Sequence, residues 1–188
     1  MGDVISIELL LDAVSEALVR ADWERLAAAG HSSMAAHRSA SNRPHVTLLV
    51  RPAGEAALAA SLFADAATRL PVPLVLSEPI VFAHGDRGVL ARRVDLSGDL
   101  LALHAAVHAE AGPGTDAPHT APEEWTPHVT LARRLRLADL DAATALLGPP
   151  HPAEGVALRR WDSARRTVTA IGEFGGRVDS AARCSTQE

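Results

Sequence analysis

The chain has 188 residues and a formal net charge of −5, and this acidic balance argues against the general attraction to nucleic acid that basic duplex-binding proteins show. Its 47% of apolar and 22% of charged residues are typical of a soluble globular protein with a sizeable core. The single cysteine, Cys184, excludes a disulfide framework and a cysteine-based zinc site.

The order of apolar runs and breaker residues predicts a mixture of strands and helices. Short runs rich in Val, Leu and Ile between turn residues indicate strands, and longer stretches with helical spacing indicate helices. In chain order we expect strands at 5–11, 43–52, 72–76, 79–83, 89–96, 125–134, 155–161 and 166–174, and helices at 15–29, 54–69, 97–111 and 138–147.

The N-terminal residues lack the features of a secretory signal. No basic region comes first, and Glu8 and Asp12 interrupt the apolar stretch. No other stretch approaches the length of a membrane span. We therefore expect a cytoplasmic protein without a membrane partner.

The most informative feature is an exact internal repeat. The string Pro-His-Val-Thr-Leu occurs at residues 44–48 and again at 127–131, and the two histidines are 83 residues apart, close to half the chain. Each copy stands at the start of a predicted strand. Duplication of one half of the fold is the simplest explanation.

Strand geometry gives the repeat a chemical meaning. Side chains alternate along a strand, so His45 lies on the same face as Thr47, and His128 on the same face as Thr130. If a pseudo-twofold axis relates the halves, two imidazoles and two hydroxyls surround one small volume. One histidine can then accept a proton from an attacking oxygen while the other protonates the leaving oxygen, and the threonines can bind phosphate oxygens.

These two H-x-T-x motifs resemble those of the two-histidine (2H) phosphoesterase superfamily, in the branch of 2′-5′ RNA ligases and RNA 2′,3′-cyclic phosphodiesterases. The resemblance extends from about Ile5 to Phe174. It implies a bilobal, duplicated α+β fold with antiparallel sheets lining a central cleft and helices outside. We accordingly expect one domain at 1–176, with one motif in each lobe, and a disordered tail at 177–188.

The same resemblance implies the reaction. The expected substrate is RNA or a nucleotide ending in a cyclic phosphate, which is opened to a 2′-phosphate with no metal or other cofactor, and 2′-5′ ligation shares this geometry in reverse. The alternatives are another cyclic phosphate, a 2′-5′-linked small nucleotide, or a non-catalytic protein that binds RNA ends. A cleft completed within one chain favours a monomer.

The roles of individual residues are partly open. The residues themselves do not decide which histidine is the acid, whereas the family pattern implies His45 as acid and His128 as base. That pattern also implies that Arg133 contacts phosphate. Strict alternation from Thr130 would place Arg134 on the cleft face instead, and a β-bulge would favour Arg133.

Two further candidates have ordinary alternatives. Trp125 could stack on a base at the cleft rim, but packing in the core or between lobes is the interpretation we favour. His104 and His108 are four residues apart on a predicted helix and could face a metal ion. No third ligand stands near them in the sequence, so we expect an ordinary helix face and no metal site.

Overall fold

The computed structural model of the chain describes residues 2–54 and 58–174. Short 3-10 turns occur at Met34–Ala36, Ala60–Phe63 and Leu137–Asp139. The expected tail at 177–188 lies outside the described residues. In chain order the described elements are β1 (Val4–Leu11), α1 (Ala13–Ala28), β2 (His45–Pro52), α2 (Ala64–Ala67), β3 (Val72–His84), β4 (Arg87–Val94), α3 (Gly98–Ala111), β5 (His128–Arg136), α4 (Leu140–Thr144), β6 (His151–Asp162) and β7 (Thr167–Glu173).

The strands form one antiparallel sheet with the order β1-β2-β5-β4-β3-β6-β7. Because β1 also pairs with β6, the first six strands close into a ring. One side of the ring is joined only where Val46 of β2 pairs with Val129 of β5. The α+β class with antiparallel pairing is therefore confirmed, and the two halves share one continuous sheet.

The two long helices pack on the face of the sheet that carries the core. α1 contacts β5 and β6, and α3 contacts β2 and β3. Alternate residues of β1, namely Ile5, Ile7, Leu9 and Leu11, are buried in that core. The opposite face of β1, β2 and β5 carries Glu8 and the histidines and threonines of the two motifs, and we call it the cleft face.

A buried ion pair fixes α1 to the sheet. Arg92 of β4 lies on the core face and is 1% exposed. Its Nε and Nη2 donate to Oδ2 of Asp22 on α1 at 3.0 and 2.9 Å. The other oxygen of Asp22 accepts from the backbone N–H of Gly148 at 2.9 Å and from Arg25. A charge buried this deeply requires such a complete set of partners.

Two predicted helices are shorter than expected. Of the segment expected at 54–69, the described residues 58–69 contain a 3-10 turn followed by the four-residue α2, and the segment at 138–147 has a 3-10 turn followed by α4. In the first, the buried residues Leu58, Phe63 and Ala66 do not follow one helical stripe, so packing outweighs the helix propensity of its alanines. The two strand pieces at 72–83 form one strand, β3, with an irregularity between Leu76 and Pro79.

Among the described residues, no helix is both long enough and apolar enough to cross a membrane.

Candidate active site

The two repeated motifs lie side by side at the centre of the sheet. β2 and β5 are antiparallel neighbours that pair at Val46 and Val129, the middle residues of the two motifs. Continuing this register sets His45 toward Thr130 and His128 toward Thr47. A local twofold axis through the valine pair therefore relates the motifs, and both histidines belong to one cleft.

A β-bulge lies at the last residue of the first motif. Thr47 pairs with Glu8 of β1, but the next pair joins Leu49 to Ile7, so Leu48 is an extra residue on β2. The extra residue reverses the alternation beyond it, which allows both Leu48 and Leu49 to be fully buried.

The second motif has the same bulge at the same position. Thr130 pairs with Ala91 of β4, and Ala132 pairs with Leu90, so Leu131 is extra. Because paired residues share a face, Ala132 and Leu90 both point into the core. The residue after Ala132, Arg133, therefore returns to the face that carries Thr130.

Two tryptophans support the bulges from the core side. The indole Nε1 of Trp125 donates to the carbonyl oxygen of Thr47, and that of Trp23 donates to the carbonyl oxygen of Thr130, both at 3.0 Å. Trp125 is only 8% exposed, and its ring stacks on His104 with centroids 3.8 Å apart. These contacts correspond to the packing interpretation of Trp125.

Both histidines are held by the same local contact. Nδ1 of His45 is 2.7 Å from the carbonyl oxygen of Arg43, and Nδ1 of His128 is 2.7 Å from that of Thr126. A carbonyl oxygen only accepts, so each Nδ1 must carry the proton and donate it. In each neutral ring Nε2 is therefore the nitrogen with a free lone pair, which is the arrangement a general base needs.

A buried carboxylate lies beside His45. Oε1 of Glu8 is 3.7 Å from Nε2 of His45 and accepts from Oγ of Ser6 at 2.7 Å. Oε2 accepts from Nε of Arg159 at 2.6 Å. Burial alone would raise the pKa of Glu8, but the positive charges of His45 and Arg159 and the two hydrogen bonds outweigh burial and hold this pKa below its usual range.

The second half lacks this carboxylate. Glu8 pairs with Thr47, and the residue that pairs with Thr130 is Ala91. The pseudo-twofold symmetry of the cleft is therefore broken by a charge on the His45 side.

The surroundings of His128 favour a neutral ring. Burial lowers its pKa, and the positive charges of His45, His119 and Arg133 lower it further, against the hydrogen bond to Thr126. The ring of Phe82 also lies 4.7 Å from that of His128, centroid to centroid. Phe82 and His119, whose rings are 5.6 Å apart, give this side of the cleft an aromatic surface.

The predicted phosphate-binding groups lie on the cleft face with free hydrogen-bonding capacity. The hydroxyls of Thr47 and Thr130 have no hydrogen-bond partner within the part of the chain that the structure describes, and both residues are partly exposed. The side chain of Arg133 is exposed, and its charge acts on the pKa of His128. Arg134 lies in a second bulge, since Arg133 and Arg134 together oppose Val89 alone.

The histidines of α3 belong to a network of hydrogen bonds that joins α3 to β2 and to the loop at Thr120. His104 contacts the carbonyl oxygen of Thr120 through Nε2 at 3.0 Å, and Nε2 of His108 is 3.2 Å from the carbonyl oxygen of Leu48. Nδ1 of His108 is 3.3 Å from Asp116. Across residues 2–54 and 58–174 no group of three His, Cys, Asp or Glu side chains is placed to hold a metal ion.

This network predicts a pH-dependent loss of stability. Burial, together with the charge of His108, lowers the pKa of His104 to about 4. Between pH about 6.5 and 4 the unfolded chain therefore binds a proton at this residue that the folded chain does not, and the free energy of unfolding falls by up to about 1.4 kcal/mol per pH unit as pH is lowered. His104→Gln should flatten the dependence in urea titrations at several pH values, and an unchanged slope would contradict the assignment. His84→Gln, at an exposed histidine, is the matched control.

Sequence reasoning missed Glu8, Arg159 and Phe82. A signal for Glu8 was present, because a glutamate inside an otherwise apolar strand must find a partner when the strand is buried. Arg159 stands next to Arg160 and close to Arg165 and Arg166, and such a basic cluster is equally typical of a solvated turn. Its partner Glu8 is 151 residues away in the chain. Phe82 carries no sequence signal that separates it from a core residue.

Comparison with known proteins identifies the family and the fold. The profile of the 2'-5' RNA ligase superfamily matches residues 14–172. A comparison with curated protein sequences gives no match. Three of the matching solved structures are Usb1 of Kluyveromyces marxianus (TM-score 0.52, 13% identity, 91% of this chain and 98% of that chain), E. coli LigT in apo form (0.51, 15%, 92% and 96%) and E. coli LigT complexed with 3′-AMP (0.50, 16%, 92% and 96%).

At these identities the solved structures establish a common fold alone. The superfamily profile covers most of the chain and includes both repeated motifs. It therefore follows that the chain belongs to the 2'-5' RNA ligase superfamily of two-histidine phosphoesterases, which confirms the resemblance carried by the two motifs.

Proposed function

We propose that this protein is a phosphodiesterase that opens a 2′,3′-cyclic phosphate at the end of RNA or of a nucleotide and leaves a 2′-phosphate. The observation that carries the proposal is the pairing of β2 with β5 at Val46 and Val129, which sets two histidine–threonine pairs on one cleft. Two imidazoles can supply both proton transfers, so the proposal includes no metal or other cofactor.

The proposed step uses the histidines in turn. Nε2 of His128 accepts a proton from water, and the water oxygen forms a bond to phosphorus. The bond between phosphorus and O3′ breaks, and His45 donates a proton from Nε2 to O3′. The phosphoryl group stays on O2′. Attack by a 5′-hydroxyl in place of water would form a 2′-5′ linkage by the same transfers.

The asymmetry of the cleft supports this assignment of acid and base. His128 must be neutral to accept a proton, and its lowered pKa keeps it neutral at physiological pH. His45 must be protonated before it can act as an acid. The carboxylate of Glu8, 3.7 Å from its Nε2, supplies the negative charge that stabilises the imidazolium.

Three further groups would stabilise the charge that develops on the phosphate oxygens. The free hydroxyls of Thr47 and Thr130 can each donate one hydrogen bond. The guanidinium of Arg133, brought to the cleft face by the bulge at Leu131, can contact the same oxygens with two donors. We therefore assign phosphate binding to these three residues.

The relatives support a nucleotide ligand. The family is named for RNA ligation, and one LigT structure holds 3′-AMP. The local twofold at the motifs supports one domain of two similar lobes over 1–176. Because both motifs come from one chain, the cleft is complete without a second copy, which supports a monomer.

Glu8→Gln should separate the roles of the two histidines. Loss of the carboxylate 3.7 Å from Nε2 of His45 should lower kcat/KM about tenfold, because the positive charge that the acid carries before proton transfer loses its partner. The acid limb of the pH profile, which reports His128, should keep its position. Rate profiles between pH 5 and 9 measure both quantities. Glu24→Gln, on the exposed face of α1, is the control. A folded Glu8→Gln variant with kcat/KM near that of wild type would contradict the assignment of His45 as acid.

A substrate panel tests the proposed function against its alternatives. Turnover is compared on 2′,3′-cyclic nucleotides, an RNA oligonucleotide ending in a 2′,3′-cyclic phosphate, ADP-ribose 1″,2″-cyclic phosphate and 2′-5′-linked oligonucleotides. We expect the first two to be opened fastest. Preference for either of the other two substrates would support the assigned catalytic residues but would contradict the proposed substrate. Tight binding without turnover of any member would contradict catalysis and favour a protein that binds RNA ends.

A further inference from the structure

An open groove rich in arginine includes Arg133, the residue that the bulge at Leu131 turns toward the cleft face. We call it the arginine groove, and its charged and titratable members are Arg87, Arg133, Arg134, His31 and His37. One wall is the loop that follows α1, and the other is the second bulge of β5. Ser32 and Ser33 also line it, and none of the Asp or Glu residues that the structure describes does.

The cations of this groove are unneutralised. Of the arginines that the structure describes, ten lie within ion-pair distance of a carboxylate. Arg87, Arg133 and Arg134 have no such partner in the described chain and are exposed together in one concave surface. On a protein of net charge −5, this local concentration of positive charge favours an anionic ligand.

The backbone of the groove is fixed in an uncommon conformation. Arg134 has a φ of 60°, in the left-handed region that a long side chain rarely adopts. Its carbonyl oxygen accepts from Nη1 of Arg87 at 3.1 Å, and the carbonyl oxygen of Arg133 accepts from Oγ of Ser32. Contacts from the loop after α1 and from β4 therefore hold the bulge that presents the two guanidiniums.

The groove shares Arg133 with the proposed phosphate site. Arg133 lines the groove, and its charge also reaches His128. A strand whose terminal phosphate lies between the histidines can leave the cleft past Arg133 and meet Arg134 and Arg87 next. Neighbouring phosphates of that strand would supply the negative charges that these arginines lack.

We propose that the arginine groove binds the phosphodiester backbone adjoining the reacting phosphate, so that the preferred substrate is an RNA oligonucleotide and not a mononucleotide. This inference rests on the proposed function for its kinetic part. It assigns Arg87 and Arg134 to strand binding, and it leaves the proton transfers to the histidines.

The test compares a trinucleotide ending in a 2′,3′-cyclic phosphate with 2′,3′-cyclic AMP. For wild type we expect kcat/KM on the trinucleotide to be higher and to fall with salt, with a slope of about −0.7 in the logarithms per phosphate contacted. Arg87→Gln and Arg134→Asn should each raise KM for the trinucleotide about tenfold, the effect of losing one charge-assisted contact. KM for cyclic AMP should change little. Asparagine is chosen at position 134 because it tolerates a positive φ.

Arg136→Gln is the matched control on the same strand, since the Arg136 side chain is 64% exposed and already pairs with Asp139. Equal loss on both substrates, or no loss on either, would overturn the inference. Binding of a fluorescent RNA oligonucleotide is measured in parallel by anisotropy. If wild type turns over neither substrate, the proposed function fails. A salt-dependent affinity that Arg87→Gln and Arg134→Asn weaken would then still support the groove, and unchanged affinity would reject it.

Discussion

His128→Ala and His45→Ala should each lower kcat on a cyclic-phosphate substrate by about 10²- to 10⁴-fold, the usual contribution of one general acid or base. Each variant removes one of the two proton transfers and leaves the bulges and the core unchanged. Steady-state rates and thermal unfolding measured on the same preparations separate activity from folding. His84→Ala, at an exposed histidine outside the cleft, should retain full activity. A folded His45 or His128 variant with kcat near that of wild type would contradict the two-histidine mechanism.

The pH profile of the wild type tests the assignment of His128 as the base. Because burial and nearby positive charges lower the pKa of His128, the base stays competent below the ordinary histidine value of about 6.5. The acid limb of kcat/KM should therefore lie below that pH. A limb above it would mean that a different group is the base.

Asp22→Ala should give the largest loss of stability, about 3–5 kcal/mol, because it leaves the guanidinium of Arg92 buried without its carboxylate. Urea unfolding gives the free energy of unfolding. Arg25→Ala removes the half-exposed partner of the same carboxylate and should cost about 1 kcal/mol or less.

The double variant Asp22→Leu with Arg92→Met distinguishes an unpaired charge from a general packing defect. Replacing both partners with apolar side chains of suitable size should recover much of the stability lost in Asp22→Ala. A cost below 1 kcal/mol for Asp22→Ala alone would show that the pair does not hold α1 to the sheet. The indole of Trp23 on α1 binds the carbonyl oxygen of Thr130. Loss of the ion pair between Asp22 and Arg92 should therefore also loosen the second motif.

The sequence predicted the part of the site that depends on local pattern. An identical string at two strand starts is enough to place His45 and His128, and period-2 alternation places Thr47 and Thr130 beside them. The α+β class followed from the same alternation of strand and helix signals. These features need no knowledge of which strands pair.

The other residues of the site depend on which strands pair and in which register, and a local sequence pattern does not encode this. Glu8 becomes part of the site because β1 lies between β2 and β6, which sets it beside Thr47 and Arg159. Arg133 turns toward the cleft because Leu131 is an extra residue relative to β4. The bulge leaves no signal in the amino-acid sequence of β5. Counting by two from Thr130 therefore pointed to Arg134 as the residue on the cleft face.

Trp125 illustrates the same limit from the other side. Because Trp125 comes three residues before His128, the sequence suggested a position close to the cleft. The structure does bring it close, since its indole binds the backbone of Thr47. Its indole faces the carbonyl oxygen of Thr47 from the core side, where Trp23 makes the equivalent contact in the other half. Only the packing of α3 on β2 reveals this role.

The most direct test of the central claim is the position of the phosphate in the product. An RNA oligonucleotide ending in a 2′,3′-cyclic phosphate is incubated with the protein in EDTA, and the product is identified by phosphorus NMR. The two-histidine mechanism proposed here predicts conversion to a 2′-phosphate in EDTA, and loss of that conversion in His45→Ala and His128→Ala. Formation of a 3′-phosphate, or turnover that requires an added metal, would contradict it.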